Sequence, residues 1–287
     1  MQIAAVVILY HPGQETIDNI TTYSNYVGKI YVFDNTEQGS PLRNQLSLNP
    51  KIYYDGDGEN HGIAKRLNAA ALLATAEGFQ WLLMMDQDSS FTKAMVENYF
   101  FCFNQYTPKH EVAMVGINFE QQTQLISTVC NAVFSDELIT SGTILNLNLF
   151  KVIGGFDEQL FIDGVDHEYT IRTLLEGFKI VQFSNIQLVH SLGKLVEKAS
   201  VKTLFLIKKQ KRIHSPLRCY YVHRNNLYLQ KKYKNVAVVS MDKLNRMTNA
   251  NISNSFFYGE NPWEVIRYIF FAKRDARNNK MGKYKAS

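Results

Sequence analysis

Cysteine and long apolar runs are scarce in this chain of 287 residues. The three cysteines, Cys102, Cys130 and Cys219, are scattered and odd in number, so they predict neither a CxxC metal site nor a disulfide framework, and they fit a reducing compartment. The apolar run near the N-terminus, residues 4–9, is too short to span a bilayer and follows no basic segment. It predicts a first buried strand rather than a signal peptide.

Acidic residues are scarce in the last third of the chain. Residues 192–287 carry 21 Lys and Arg against 5 Asp and Glu, whereas residues 1–191 carry 10 against 21. Nucleic acid is the first partner to test for such a charge, but no zinc-finger, RNP or helix-turn-helix signature is present. An anionic membrane surface fits better, because residues 263–285 combine aromatic side chains with Lys and Arg as interfacial helices do. A helix packed on its own domain, or a solvated cationic face, would have similar content.

The remaining composition is that of a globular protein, with 46% hydrophobic and 20% charged residues. Apolar runs alternate with helical patterns through the first two-thirds, which predicts an α/β fold with a mostly parallel sheet covered on both faces. The predicted strands are 4–9, 29–33, 51–54, 81–85 and 112–117, and the predicted helices between them are 14–26, 62–77 and 92–106. Basic helices are predicted beyond residue 191, at 202–213, 217–232, 241–247 and 263–277. We therefore expect a catalytic domain over 1–195 and a helical region over 196–287.

Polar residues follow four consecutive predicted strands. Parallel sheets bind ligands outside the carboxyl ends of their strands, so these turns predict a site at one edge. The residues concerned are His11 and Pro12, Asp34 and Asn35, residues 55–60, and Asp86 to Asp88.

The fourth of these turns is a D-x-D motif, Asp86-Gln87-Asp88. If the extended conformation continues through Gln87, both carboxylates point to the same side, where they could bind Mg²⁺ or Mn²⁺ carrying phosphates. An ordinary strand exit into a loop is the alternative. A dehalogenase-type phosphatase is disfavoured, because its motif follows the first strand, which here ends in His11-Pro12.

Two further stretches carry candidate chemistry. In 60-NHGIAKRLNAA-70, Asn60, Gly62 and Asn68 surround a predicted helix start that suits a diphosphate, although an ordinary capped helix explains the same residues.

In 161-FIDGVDHEYTIR-172, Asp163 and Asp166 stand at another helix start. Carboxylates there stabilise the helix dipole, and one of them could also act as a general base. His190, after a short strand, is either structural or closes a metal site.

Taken in order, these motifs resemble the inverting family 2 glycosyltransferases of the GT-A fold, and among them the bacterial rhamnosyltransferases. The resemblance covers about residues 3–230 and rests on 33-FDNT-36, 60-NHGIAKRLN-68, 84-MMDQDSS-90, 141-SGTILN-146, 154-GGFDE-158, 161-FIDGVDHEYTIR-172, His190 and 214-HSPLRCYYVHRN-225. The usual Glu of the family's Glu-Asp pair is Val165 here.

The resemblance implies a role for each matching residue. Asp166 would be the catalytic base, with Asp163 as the alternative, and Asp88 and His190 would hold Mg²⁺ or Mn²⁺. The nucleotide-sugar would contact Asp34, Asn35, Asn60, Gly62, Asn68, Asp86, Ser141, Gly142, Arg218 and Arg224. The implied reaction moves L-rhamnose from dTDP-β-L-rhamnose to a hydroxyl of a cell-surface polysaccharide precursor, lipid-linked and at the inner face of the bacterial cytoplasmic membrane.

Three other functions stay open on the sequence. The same family uses UDP-hexose or UDP-N-acetylhexosamine donors, and a non-catalytic protein could bind sugar nucleotides through the same motifs. A nucleotidyltransferase would carry a Gly-rich basic loop after the first strand, where this chain has 9-LYHPGQE-15.

Overall fold

The computed structural model describes residues 2–106, 109–118, 129–190, 194–234 and 239–285. The chain divides into two compact units. Unit 1 comprises Met1–Glu158 and Asp166–Ser191, and unit 2 comprises Gln159–Val165 and Leu192–Ser287. The second division falls four residues before the predicted boundary at residue 195. The assignment of Gln159–Val165 to unit 2 has no counterpart in the sequence patterns.

Unit 1 is built on a mixed sheet of eight strands. In spatial order the strands are β3 (Ile52–Asp55), β2 (Ile30–Asp34), β1 (Ile3–Leu9), β4 (Trp81–Asp86), β8 (Thr143–Asn146), β6 (Val112–Asn118), β9 (Lys179–Gln187) and β7 (Ala132–Phe134). The first four are parallel, β8 runs antiparallel to both of its neighbours, β6 and β9 are parallel, and β7 closes the sheet antiparallel to β9. The predicted α/β fold with a mostly parallel sheet is confirmed.

Continuous apolar strands explain the centre of this sheet. The sequence of β1, IAAVVIL, is buried along almost its whole length, as expected for a strand covered on both faces. It pairs with β2 from Ala5↔Ile30 to Leu9↔Asp34 and with β4 from Ile3↔Trp81 to Ile8↔Asp86. The carboxyl ends of the three strands therefore lie side by side.

Helices connect these strands. They are α1 (Glu15–Ser24), α2 (Arg43–Leu46), α3 (Ile63–Ala76), α4 (Lys93–Gln105), α5 (Leu147–Ile153) and α6 (Val165–Leu175). Side-chain caps explain the starts of α4 and α5. The Thr92 hydroxyl accepts from Met95 N, and the side-chain carbonyl of Asn146 accepts from Asn148 N and Leu149 N. A short two-stranded ladder joins β5 (Ser89–Ser90) to β10 (Val189–His190).

A disulfide corrects one sequence prediction. Cys102, near the end of α4, is bonded to Cys130, 28 residues later, while Cys219 is free and buried. An odd number of scattered cysteines gave no sign of this pair, because the fold brings the two positions together. Cysteine usage therefore no longer supports a reducing compartment.

Within its described residues, unit 2 combines a hairpin with three α-helices. Strands β11 (Lys194–Ala199) and β12 (Lys208–Ile213) pair antiparallel, and α7 (Pro216–Lys232), α8 (Val239–Tyr258) and α9 (Pro262–Arg277) follow. The helix predicted over 202–213 is wrong. Its four consecutive apolar residues form no helical stripe, and Leu204 and Phe205 have left-handed φ angles of 48° and 58° that a helix cannot accommodate.

The C-terminal helix α9 packs partly on its own unit, and its membrane interpretation stays a prediction. Tyr268 and Phe271 contact a buried cluster of unit 2, whereas Trp263 and Phe270 are exposed. Within the described ranges, no helix combines the length and the apolar character needed to cross a membrane.

The disulfide gives the first testable expectation. Closing a loop of 28 residues restricts the unfolded chain, so reduction should lower the free energy of unfolding by about 3 kcal/mol. Urea denaturation with and without dithiothreitol measures the effect. Cys130→Ser is the control, because dithiothreitol should leave its unfolding curve unchanged. Equal curves for the oxidised and reduced natural chain would contradict the expectation.

Candidate active site

At the carboxyl edge of the parallel strands, side chains that follow β4 and β2 form hydrogen bonds with the backbone that follows β1. Gln87, which follows β4, accepts from Tyr10 N through Oε1 (2.8 Å) and donates to Tyr10 O through Nε2 (3.1 Å). On the other side of β1, the hydroxyl of Thr36 accepts from His11 N (2.9 Å). The ends of β4, β1 and β2 are thus held together beyond the last sheet hydrogen bonds.

Asp34 and Asn35 lie buried at the end of β2. The Asp34 carboxylate accepts from Thr36 N (2.8 Å) and from the Tyr54 hydroxyl, and burial together with this bond raises the pKa of Tyr54. Asn35 accepts from His61 N (3.2 Å) and donates to Gly62 O (3.2 Å). Both carboxylate oxygens of Asp34 are engaged inside unit 1, so its visible role is to hold this turn against β3 and α3.

Arg66 was not among the predicted site residues, yet it organises this corner. It is 6% exposed, donates to Asn35 Oδ1 (3.0 Å) and to Asp57 Oδ1 (2.9 Å), and lies 3.6 Å from Asp55. Burial would raise the pKa of Asp57, but hydrogen bonds from His61 and the Arg66 charge lower it to about 2. Helix periodicity predicts that Arg66 lies on α3, but it does not predict that the side chain is buried beside carboxylates from the end of β3.

Helix α3 begins at Ile63, one residue after the predicted start. The Asn60 side chain accepts from Gly62 N (3.0 Å), and Gly62 has a φ of 81°, which favours glycine. The α3 start shows no side-chain cap among the described residues. Asn68, one turn further along, accepts from Phe156 N (2.7 Å) and donates to Glu158 (2.9 Å), so its side chain fixes the 154–158 turn.

The D-x-D motif departs from the predicted geometry. Strand β4 ends at Asp86, and Gln87 and Asp88 form a turn before β5, so the two carboxylates are not on one extended face. Asp86 is half-buried and Asp88 is exposed. The backbone of His190 pairs with Ser89, directly after the motif. The side chain of His190 lies outside the described part of the chain, so its metal role stays a prediction.

Ser141 and Gly142 adjoin the motif. The Ser141 hydroxyl accepts from Asp86 N (3.1 Å), and Gly142 donates its N–H to Met84 O (2.9 Å). Gly142 has a φ of 78°, and a Cβ there would lie 2.6 Å from Ile117 Cδ1. The position therefore requires glycine for packing, and its contact with a sugar nucleotide remains a prediction.

Asp166 stands at the start of α6 beside a charged histidine. Its Oδ1 accepts from His167 N (2.9 Å) and lies 3.0 Å from His167 Nδ1, while His167 Nε2 lies 3.4 Å from Glu137. Burial alone would lower the pKa of His167, but the Asp166 carboxylate, with help from Glu137, raises it to about 10. The same contacts hold the pKa of Asp166 below its ordinary value against the effect of burial. His167 and Glu137 were missed by the sequence analysis.

One segment connects the D-x-D motif to Asp166. Residues 135–142 carry Glu137, which faces His167, and Ser141, which bonds Asp86. Three residues lie between Glu137 and Ser141, so the two positions are at most about 14 Å apart along the chain. The segment therefore contacts the backbone of Asp86 at one end and, at the other, the His167 ring that lies beside Asp166.

The turn 154-GGFDE-158 is also held from α6. Arg172 donates to Ile153 O (2.7 Å) and Gly155 O (2.7 Å), and it pairs with the buried Glu168 at 2.8 Å. Glu168 is thus explained by an ion pair within α6.

Asp163, Arg218 and Arg224 belong to unit 2. Asp163 has a φ of 63°, and its carboxylate accepts from Arg218 Nη2 (3.0 Å). Arg224 is 1% exposed and donates to Asn225 Oδ1 (3.0 Å) and Gly282 O (2.9 Å). Its guanidinium is enclosed within unit 2, and its predicted ligand contact stays a prediction. The predicted ligand contact of Arg218 stays a prediction.

The carboxylates at this edge of the sheet are candidate ligands for a divalent metal. No group of three His, Cys, Asp or Glu side chains that could hold an ion occurs among the described residues. Mg²⁺ and Mn²⁺ need fewer protein ligands when they share phosphates and water, and carboxylate oxygens are suitable donors. Asp86 and Asp88 fit an ion shared with a diphosphate, and they do not form a complete protein site.

Comparison with known proteins agrees with this architecture. The dTDP-rhamnosyl transferase RfbF of Shigella flexneri is 25% identical over 248 residues, which cover 80% of each protein. The structure of S. aureus TarS 1–349 in complex with UDP-GlcNAc matches at 14% identity with a TM-score of 0.56, over 98% of this chain and 89% of that one. The structure of GalNAc-T7 with UDP, GalNAc and Mn²⁺ matches at 12% identity with a TM-score of 0.54, over 98% of this chain.

This chain has the GT-A fold, and it is similar in sequence to a bacterial glycosyltransferase. The predicted resemblance is confirmed by the bacterial relative, and the two solved structures show the fold. The chain spans 58% of the GalNAc-T7 chain and 54% of a longer TarS chain. No family model matches the sequence.

The charged His167 gives a test of the Asp166 environment. A histidine whose pKa rises on folding stabilises the folded chain below pH 6.5, and this stabilisation is lost as the pH rises through about 10. Between pH 6.5 and 10, the natural chain should lose roughly 1 to 3 kcal/mol more than His167→Gln. Urea denaturation of both chains across this range measures the difference. Parallel profiles would show that His167 is not held charged between its two neighbours.

Proposed function

We propose that this chain is a glycosyltransferase, which moves a sugar from a nucleoside-diphosphate donor to a hydroxyl group with inversion at the sugar carbon. The observation that supports the proposal most directly is the segment 135–142, which ties Asp86 to the Asp166–His167 pair. Glycosyl transfer needs groups that stabilise a departing diphosphate and a separate base for the incoming hydroxyl. Unit 1 offers candidates for both.

Asp166 is the proposed base. As the acceptor oxygen bonds to the sugar carbon from the face opposite the diphosphate, Asp166 takes the hydroxyl proton and the bond to the diphosphate breaks. His167 orients the carboxylate through two contacts and keeps it ionised. No enzyme nucleophile is needed. Asp163 is the alternative base, although its carboxylate is paired with Arg218.

The diphosphate would be held at the carboxyl edge of the sheet. Asp88 would bind Mg²⁺ or Mn²⁺ together with Asp86, two residues earlier, and His190, whose backbone pairs with the neighbouring Ser89. Such an ion would stabilise negative charge on the leaving group. Asn60 and Gly62 shape the start of α3, where backbone N–H groups and the helix dipole favour phosphate oxygens. The deeply buried Asp34 and Asn35 would position this turn.

The proposed donor is dTDP-β-L-rhamnose, and the proposed acceptor is a lipid-linked precursor of a cell-surface polysaccharide at the inner face of the cytoplasmic membrane. Similarity to RfbF supports the donor. A UDP-hexose or UDP-N-acetylhexosamine donor is the second candidate, because the TarS neighbour holds UDP-GlcNAc. The disulfide leaves the cytoplasmic location without support from cysteine usage.

A thermal-shift panel distinguishes the donors. With Mn²⁺ present, dTDP-rhamnose at about 100 times its Kd should add about 2.7 kcal/mol of stability, which raises the Tm by several degrees. Asp88→Asn should remove the metal dependence of this shift, whereas Asp18→Asn, an exposed carboxylate on α1, should keep it. A larger shift with UDP-glucose or UDP-GlcNAc would replace the proposed donor. An unchanged shift in Asp88→Asn would remove Asp88 from the site.

Asp166→Asn separates the base from the binding groups. The variant should lose about 10² to 10⁴ in kcat while its donor Kd changes less than two-fold, because the amide cannot accept the hydroxyl proton. Asp163→Asn is the matched comparison. Full turnover in Asp166→Asn with loss in Asp163→Asn would transfer the role to Asp163, and full turnover in both would refute the mechanism.

A further inference from the structure

The hairpin of unit 2 ends in four consecutive apolar residues that face solvent. Leu204, Phe205, Leu206 and Ile207, here called the apolar tip, are 75%, 68%, 81% and 60% exposed. They lie between β11 and β12, and neighbouring Val201 is also 61% exposed. Single exposed apolar side chains are ordinary, but a contiguous group indicates a surface that meets another apolar phase.

The apolar tip is an ordered turn. Leu204 N donates to Val201 O and Phe205 N donates to Ser200 O, both at 3.0 Å. The left-handed φ angles of Leu204 and Phe205 cost free energy in residues with a Cβ. A strained turn that also leaves large side chains in water has no explanation in the packing of unit 2 itself.

Positive charge surrounds the apolar tip. Residues 194–213 contain seven Lys and Arg and one Glu. Lys198 and Lys209 are opposite each other on one face of the ladder, and Lys208 opens β12 directly after the tip. Lysine is depleted in the cores of protein–protein interfaces, whereas apolar residues flanked by Lys and Arg are typical of segments that bind anionic bilayers.

Helix α9, which follows the segment that the hairpin contacts, carries a second group of exposed apolar side chains. Lys198 donates to Gly259 O (3.3 Å), and the Lys202 ammonium lies 4.4 Å from the centre of the Phe257 ring, so the hairpin is fixed against the end of α8. Helix α9 begins just after Gly259, and its Trp263, Ile266 and Phe270 are 80%, 45% and 66% exposed. Their spacing of three and four residues places them on one face of α9.

We propose that the apolar tip and the exposed face of α9 form a docking surface for an anionic lipid bilayer. The tip enters the boundary between headgroups and acyl chains, and the lysines of β11 and β12 contact the lipid phosphates. From the sequence, residues 263–285 are the membrane-binding candidate, with a helix packed on its own domain as the alternative. The hairpin is the new element, and the inference depends on unit 2 and not on the identity of the donor.

Vesicle sedimentation of the full chain tests the proposal. The chain should bind vesicles of phosphatidylcholine mixed with phosphatidylglycerol at least ten-fold more strongly than vesicles of phosphatidylcholine alone. About 1 M salt, where the Debye length falls to about 3 Å, should remove most of that preference. The double variant Phe205→Ser/Leu206→Ser should bind the anionic vesicles at least ten-fold more weakly.

Leu48→Ser/Leu72→Ser is the matched control, because these two exposed leucines of unit 1 are 82% and 65% exposed. This control should bind vesicles as the natural chain does. Trp263 provides a direct readout, since Trp81 is buried: its fluorescence should shift to the blue on anionic vesicles. The absence of that shift in sedimented protein would overturn the assignment of α9 to the surface.

Two results would overturn the proposal as a whole. One is vesicle binding by Phe205→Ser/Leu206→Ser equal to that of the control variant. The other is a change from dimer to monomer in the tip variant, measured by analytical ultracentrifugation, with no loss of vesicle binding, which would make the tip an interface between copies of this chain. Donor thermal shifts measured on the same variants distinguish either failure from a failure of the proposed transfer reaction.

Discussion

The parallel register of β1 between β2 and β4 is the constraint on which the candidate site depends. It aligns Leu9 with Asp34 and Ile8 with Asp86, so the carboxyl ends of three apolar strands finish at one edge. Apolar burial along the strands supplies the free energy that holds charged and amide groups there. Gln87 then extends the alignment past the strands by bonding both backbone polar groups of Tyr10.

The architecture of unit 1 could be predicted because its signals are local and repeated. Strands such as β1 and β4 are continuous apolar runs, and the helices between them begin at residues such as Thr92 that cap their own backbone. The hairpin of unit 2 could not be predicted in the same way. Residues 202–213 have the composition of a basic helix, but the chain turns back at Leu204 and Phe205 and β12 pairs with β11, which composition does not show.

The candidate site was predictable only in part, for a physical reason. Sequence motifs identify residues next to strand ends, such as Asp86 and Asn60, but they do not show which buried partners those residues meet. Arg66, Glu137 and His167 are brought to the site by contacts between distant segments. The same limitation explains Arg224, whose position in a motif suggested a ligand contact although its guanidinium is enclosed.

The course of the chain between the two units has a consequence for its modularity. Gln159–Val165 is folded with unit 2 although it lies between two parts of unit 1 in sequence. The Asn225 amide donates to the carbonyls of Ile162 (2.7 Å) and Asp163 (2.8 Å), and the rings of Phe161 and Tyr221 stack 5.5 Å apart. A gene fragment that stopped at residue 191 would encode this segment without its partners, so the N-terminal two-thirds is not a unit that recombination could exchange by itself.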